Sequence, residues 1–180
     1  MSFEPITEQQ KNTSSSDEIT ACQIAQGLQD IYEGFTEAVR SMGSKKDGKK
    51  SKSPLAQSAL HWIAGDRVKT ERDILCDRFL QDVQKQLQLL DLALEGLPEA
   101  EVQEACAIAV DILTEPVPEQ SNHTSALMKR AMAGQALPYL SRLSREKLEQ
   151  IQQKIESAYK KSQRLPVEQE VLKEIRRLLK

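Results

Sequence analysis

The chain has 180 residues, room for one domain and little for two. Apolar residues make up 39%, charged residues 29% and aromatic residues only 4%, and Val, Ile and aromatic residues form no alternating runs, so a β-sheet protein is excluded and an all-α protein is expected. The net charge of −2 hides an asymmetry: residues 121–180 carry 13 Lys/Arg against 6 Asp/Glu, or +7, and residues 1–120 carry the remaining 12 against 21, or −9. Either the two halves attract each other across a bundle, or the basic half faces an anionic partner.

Residues 1–14 are polar and aperiodic and are expected to be disordered, ahead of a single helical domain over 15–180. Ser15 and Glu18 have capping-box spacing, so the first helix is expected directly after them. Its apolar side would hold Ile19, Cys22, Leu28, Ile31, Tyr32, Phe35, Val39 and Met42, with Gly43 as its stop. Gly27 and Gly34 lie seven residues apart, on nearly one face. They are either a flat strip for another backbone or glycines that packing tolerates.

Residues 43–54 hold five lysines, one aspartate and no apolar residue, the composition of a flexible exposed loop. Pro54 then opens a short apolar run with Leu55, Ala59, Leu60, Trp62 and Ile63. Trp62 is the sole tryptophan, and its surroundings favour a packing anchor over a stacking platform. Gly65-Asp66 breaks the run, with Asp66 placed to cap the next helix.

The strongest period in the chain runs from Arg67 to Gly96: Cys76, Leu80, Val83, Leu87, Leu90, Leu94 and Leu97 are spaced alternately four and three apart. That is an a/d seam on a helix roughly 45 Å long. Leu75, Phe79, Leu89 and Ala93 widen it, so this long helix is expected to be central, with more than one helical neighbour. Gly96-Leu97-Pro98 ends it and opens a helix with Val102, Ala105, Cys106, Ala109, Ile112 and Leu113 inward, folded back antiparallel. Residues 114–124, with Pro116 and Pro118, form a stiff connector between the acidic and basic halves. A small-residue helix is expected over Ser125 to Leu137, where Pro138 ends or kinks it. Ser144 caps the next, with Leu143 and Leu148 as a staple and Leu148, Ile151, Ile155, Ala158 and Tyr159 inward. Pro166 starts the last, with Val167, Val171, Ile175 and Leu178 on one face. The sum is a bundle of about six helices.

Catalytic motifs are missing from the sequence. His61 and His123 have no second His or Cys at ligand spacing, no Glu-x-x-His pair occurs, and there is no C-x-x-C, H-E-x-x-H, P-loop or dinucleotide fingerprint. Asp73 and Asp77 are flanked by Arg72 and Arg78, as in a solvated charge network. No enzyme activity, cofactor, metal or small-molecule substrate is therefore expected. The first residues carry no signal-peptide pattern and no apolar run approaches a membrane span. Cys22, Cys76 and Cys106 are odd in number and on apolar faces. Together these point to a reduced, cytoplasmic chain that does not enter membranes.

The expected role is that of a non-enzymatic interaction, adaptor or structural component acting through an apolar helix surface, with a protein partner or a second copy. The alternative is accessory nucleic-acid binding by the basic C-terminal helices, with Lys160, Lys161, Arg164, Lys173, Arg176 and Arg177 as the candidate contacts. The lysine loop has no aromatic residues among its charges, so it offers sequence-independent attraction only.

Overall fold

The computed structural model describes residues 19–44 and 69–180. Ser15, Glu18, most of the lysine loop, the Pro54–Ile63 run with Trp62, and Asp66 lie outside the described residues. Helices take up 81% of the described residues and no strand occurs among them, so the chain is an all-α bundle. We number the elements α1 (Ala21–Ser44), α2 (Glu71–Leu94), α3 (Glu99–Thr114), α4 (His123–Met132), α5 (Leu137–Leu140), α6 (Arg145–Ala158) and α7 (Pro166–Leu178). Short 3-10 turns, Ala133–Ala136 and Lys161–Gln163, precede α5 and α7.

The first two helices both open on threonine capping boxes. Thr20 Oγ1 accepts from the Gln23 N–H at 3.2 Å while Gln23 Oε1 accepts from the Thr20 N–H at 2.8 Å. Thr70 Oγ1 accepts from the Asp73 N–H at 3.2 Å, and Asp73 Oδ2 accepts from the Thr70 N–H at 2.9 Å. Each box satisfies two N–H groups that the first turn would leave bare. α2 therefore starts four residues later than the Asp66 cap implies.

α1 lies between α2 and α3 and packs along both. Ala21, Ala25, Leu28, Phe35 and Val39 are buried on it. A side chain of α2 crosses α1 at Gly27: a Cβ there would sit 2.3 Å from Gln86 Nε2, which donates to the Ile24 carbonyl at 2.7 Å. Gly34 is different, because a Cβ on it would meet no described atom within 4 Å. Of the two glycines, one accommodates a crossing side chain and the other has no described atom against its Cβ position.

α2 departs from its expected seam. Val83, Leu87 and Leu90 are buried as spaced, but Leu80 is 42% exposed and Phe79 is 3% exposed in its place. Phe79 stacks on Phe35 of α1 with centroids 4.3 Å apart, and this aromatic pair turns the helix so that Leu80 faces out. Cys76, Leu94 and Leu97 are half-buried. The expected fold-back of α3 along α2 does not form: α3 packs on α1, and α2 and α3 share no extended interface. Gly96, with φ +77, makes the turn between them.

The helix with the most complete burial is α3. Val102, Ala105, Cys106, Ala109, Val110, Ile112 and Leu113 are all buried, and α1, α4, α5 and α6 pack around it. Its small residues let neighbours approach closely, and its apolar residues cover nearly the whole circumference. Asn122 caps α4 by accepting from the Ser125 N–H at 2.9 Å. Ahead of Pro138 the chain tightens into the 3-10 turn, so α4 ends at Met132. Asn122→Ala is expected to cost about 0.5–2 kcal/mol in a urea melt. Ser144 and Pro166 open α6 and α7 as expected, with Ser144 accepting from the Lys147 N–H at 3.3 Å.

Candidate functional site

Two surfaces of the bundle are candidates for functional chemistry: the basic surface of the C-terminal helices, and the outer face of α2. The basic surface begins at the end of α6. Arg164 donates from Nε to the Tyr159 carbonyl at 3.1 Å and from Nη2 to the Glu156 carbonyl at 3.2 Å. It thereby satisfies acceptors that the last turn of α6 leaves open, so this candidate contact is a helix cap. Arg176 Nη2 lies 2.6 Å from Glu156 Oε1, and this hydrogen bond holds the Glu156 carboxyl below its usual range. Arg177 grips Glu174 through two bonds, at 2.6 and 2.9 Å. Lys160, Lys161 and Lys173 are exposed and have no ion-pair partner among the described residues.

The structure brings only part of the candidate set together. Lys173, Arg176, Arg177 and Lys180 line an open groove of about 760 Å³, shared with Leu137, Glu170 and Glu174. Lys160, Lys161 and Arg164 are not on that groove. The two halves of the chain also neutralise each other directly. Asp111 of α3 pairs with Lys147 and Lys154 of α6, and Arg142 Nη1 reaches Glu99 Oε2 at 3.8 Å. Part of the positive charge of the C-terminal third is thus held in a cap and in ion pairs, each pair worth little in solvent, while Lys160, Lys161 and Lys173 carry the rest without an ion-pair partner among the described residues.

Beneath this surface lies a charge cluster that composition and motifs do not single out. Lys129 is 3% exposed, and its Nζ sits 4.5 Å from the centroid of the Tyr32 ring of α1. Its neighbour Arg130 stacks 4.4 Å from the Tyr159 ring, with Nε 3.4 Å from Glu168 Oε1. Glu168 is 3% exposed and also accepts from the Leu165 N–H at 2.9 Å. Tyr159 in turn accepts from the Val117 N–H at 2.6 Å, which ties down the proline connector. Burial lowers the Lys129 pKa to about 8, with Glu115 opposing and Lys154 adding to the shift. Burial also pushes the Glu168 carboxyl up, against the Leu165 N–H and Arg130. The signal for these residues lies in the period: Ser125, Lys129 and Met132 are buried at i, i+4, i+7, and Glu168, Val171, Leu172 and Ile175 at i, i+3, i+4, i+7.

The second surface is on α2. Among the described residues its one extended helical neighbour is α1, and its outer side carries Ile74 (52% exposed), Leu89 (52%) and Leu92 (64%). Leu89 and Leu92 are one turn apart on the side that also carries Lys85.

Cys106 is buried, Cys22 and Cys76 are half-buried, and burial raises all three thiols. Among the described residues no group of three or more His, Cys, Asp or Glu side chains is placed to hold a metal, and no helix is long and apolar enough to cross a membrane. Comparison with known proteins gives no matching family model, no matching curated protein and no matching solved structure.

Proposed function

We propose that the protein is a non-enzymatic, intracellular interaction component that docks a protein partner, or a second copy of itself, on the outer face of α2. The supporting observation is the exposure of Leu89 and Leu92 on a helix whose other side is already committed to α1. Large apolar side chains grouped on a solvent face are the mark of an interface, whereas scattered single ones need no explanation. The expected result of Leu89→Glu with Leu92→Glu is a fold unchanged within about 0.5 kcal/mol, because both side chains are exposed. The tagged wild-type chain should purify from its own cells with a stoichiometric partner or as an oligomer by light scattering, and the double variant should not. Identical assemblies from both chains would contradict the proposal.

A second reading rests on the exposed lysines without ion-pair partners. In it, Lys160, Lys161 and Lys173 contact phosphates, and Arg176 and Arg177 contribute less because carboxylates already hold them. Each lysine replaced by alanine is expected to weaken binding of a labelled duplex uniformly across sequences and to reduce the salt slope by about one. Fluorescence anisotropy from about 50 to 200 mM salt reads this directly, and no binding at the low-salt end removes this reading.

A further inference from the structure

The connector between α3 and α4, residues 115–121, runs beside the buried Lys129 and is lightly fastened. Pro116 and Pro118 have no N–H to give, so Val117 is the one backbone donor between Glu115 and Glu119. Its N–H goes to the Tyr159 hydroxyl at 2.6 Å. Among the described residues this is the one hydrogen bond from the backbone of 116–120 to another element. The Ser121 N–H turns back to the Pro118 carbonyl at 3.0 Å, inside the connector itself. Glu115, Pro118, Glu119 and Gln120 are exposed, and Pro116 and Val117 are half-buried. A segment with one tie and few buried side chains opens at far lower cost than a packed helix.

Both ends of the connector meet the Tyr32–Lys129 pair. The Glu115 charge acts on Lys129 and on Tyr32, and the Ser121 hydroxyl stands at the Tyr32 hydroxyl. Lys129 is 3% exposed and has no carboxylate within ion-pair distance among the described residues. Ser125 Oγ, one turn before it on α4, is buried without a hydrogen-bond partner among those residues, and so is Thr36 Oγ1, one turn after Tyr32 on α1. The ammonium is thus short of both water and counter-charge, and a burial of that kind is costly. Lifting the connector relieves it without moving a helix. We propose that residues 115–121 form a strap over Lys129 that closes while this lysine is uncharged and loosens while it carries its proton.

The sign follows from burial. Under the closed strap the lysine titrates at about 8, and in water, with the strap lifted, at its ordinary 10.5. Above both values it is neutral either way and closure is strongest. As pH falls through that window the closed form resists protonation, and closure weakens by up to about 300-fold. The groups facing Lys129 are Tyr32 of α1, Glu115 of the connector and Lys154 of α6, which also pairs with Asp111 at 3.7 Å. Burial holds the Tyr32 hydroxyl above its ordinary range. Arg130, next along α4, is turned to Tyr159 and Glu168. This inference does not depend on the readings of α2 or of the exposed lysines.

Amide hydrogen exchange of the full chain, read by NMR at Val117, tests it. At about pH 7 this amide should exchange by local opening, faster than those of Ile112 and Leu113 in α3 and without response to dilute urea. Lys129→Met has no charge to bury and should slow it by at least about tenfold. In the wild type, the protection of Val117, corrected for the intrinsic base dependence of exchange, should climb from about pH 7 to 9.5, and in the methionine variant it should stay level. Val117 exchanging only together with the α3 amides at pH 7 overturns the inference. So does a Val117 protection that stays level with pH in the wild type, a result that needs no variant to fold.

Discussion

Lys129→Met is expected to stabilise the fold at pH 7 by about 1–3 kcal/mol, because burying an ammonium with no carboxylate in contact costs several kcal/mol and an apolar chain of similar length removes that cost. The lysine is 3% exposed and its ammonium has the face of Tyr32 as its close partner. That contact returns about 2 kcal/mol, less than the several kcal/mol that burying an ammonium costs. The pH dependence gives a sharper test. With a pKa of about 8 in the folded chain and 10.5 in the unfolded one, the folded state binds fewer protons between those values. The wild type should therefore gain stability as pH rises through that window, by up to about 3 kcal/mol. The groups facing Lys129 are Tyr32 on α1, Glu115 in the connector and Lys154 on α6. They remain in the variant, so the difference between the two chains isolates Lys129. Urea melts from about pH 7 to 10 should show the advantage of the methionine variant closing with pH. A constant gap would mean that Lys129 keeps its ordinary pKa and is hydrated in the fold.

Phe79→Ala is expected to cost about 3–5 kcal/mol, and Leu80→Ala less than about 1 kcal/mol. The two neighbours lie on opposite sides of a single decision, namely which way α2 is rotated on α1. Phe79 loses its stack on Phe35 and leaves a cavity at the centre of the α1/α2 contact. Leu80 loses only a partly solvated side chain. Equal losses, or a reversed order, would return α2 to the strict 3-4 seam of its sequence.

The contrast between these residues shows what a single sequence reveals here. Periodicity locates the described helices of ten or more residues, because each buries a stripe at three- and four-residue spacing, most weakly in α4, where Ser125 and Lys129 are polar members of the stripe. It also gives the inward residues of α3, and those of α6 except Ala158, which is exposed at the helix end. It puts Leu80 in the seam because both Phe79 and Leu80 satisfy an apolar pattern, and only the Phe35 ring on another helix chooses between them. The same ambiguity makes α2 look central. A leucine-rich stripe records that one side is buried, whereas the role of α3 comes from Ala105, Cys106 and Ala109, small residues that carry a weak signal and permit close packing. Thr20 and Thr70 are visible as T-x-x-Q and T-x-x-D, but other cap residues stand nearby in the chain. The candidate cations are legible as charges and not as sites. That Arg164 caps α6 while Lys173 stays exposed depends on partners far away in sequence or on backbone carbonyls, which no spacing rule reports.

If the outer face of α2, and not the basic surface of α7, is where this protein meets its partner, site-specific photo-crosslinking in the cells that make the protein will separate the two surfaces. The photoreactive residue replaces Leu92 in one chain and Lys173 in another. The expected result is a discrete protein adduct from position 92, of one mass, that disappears when Leu89→Glu is added to the same chain. Position 173 should give no comparable adduct. A nucleic-acid or protein adduct from position 173 with none from position 92 would contradict this and move the working surface to α7.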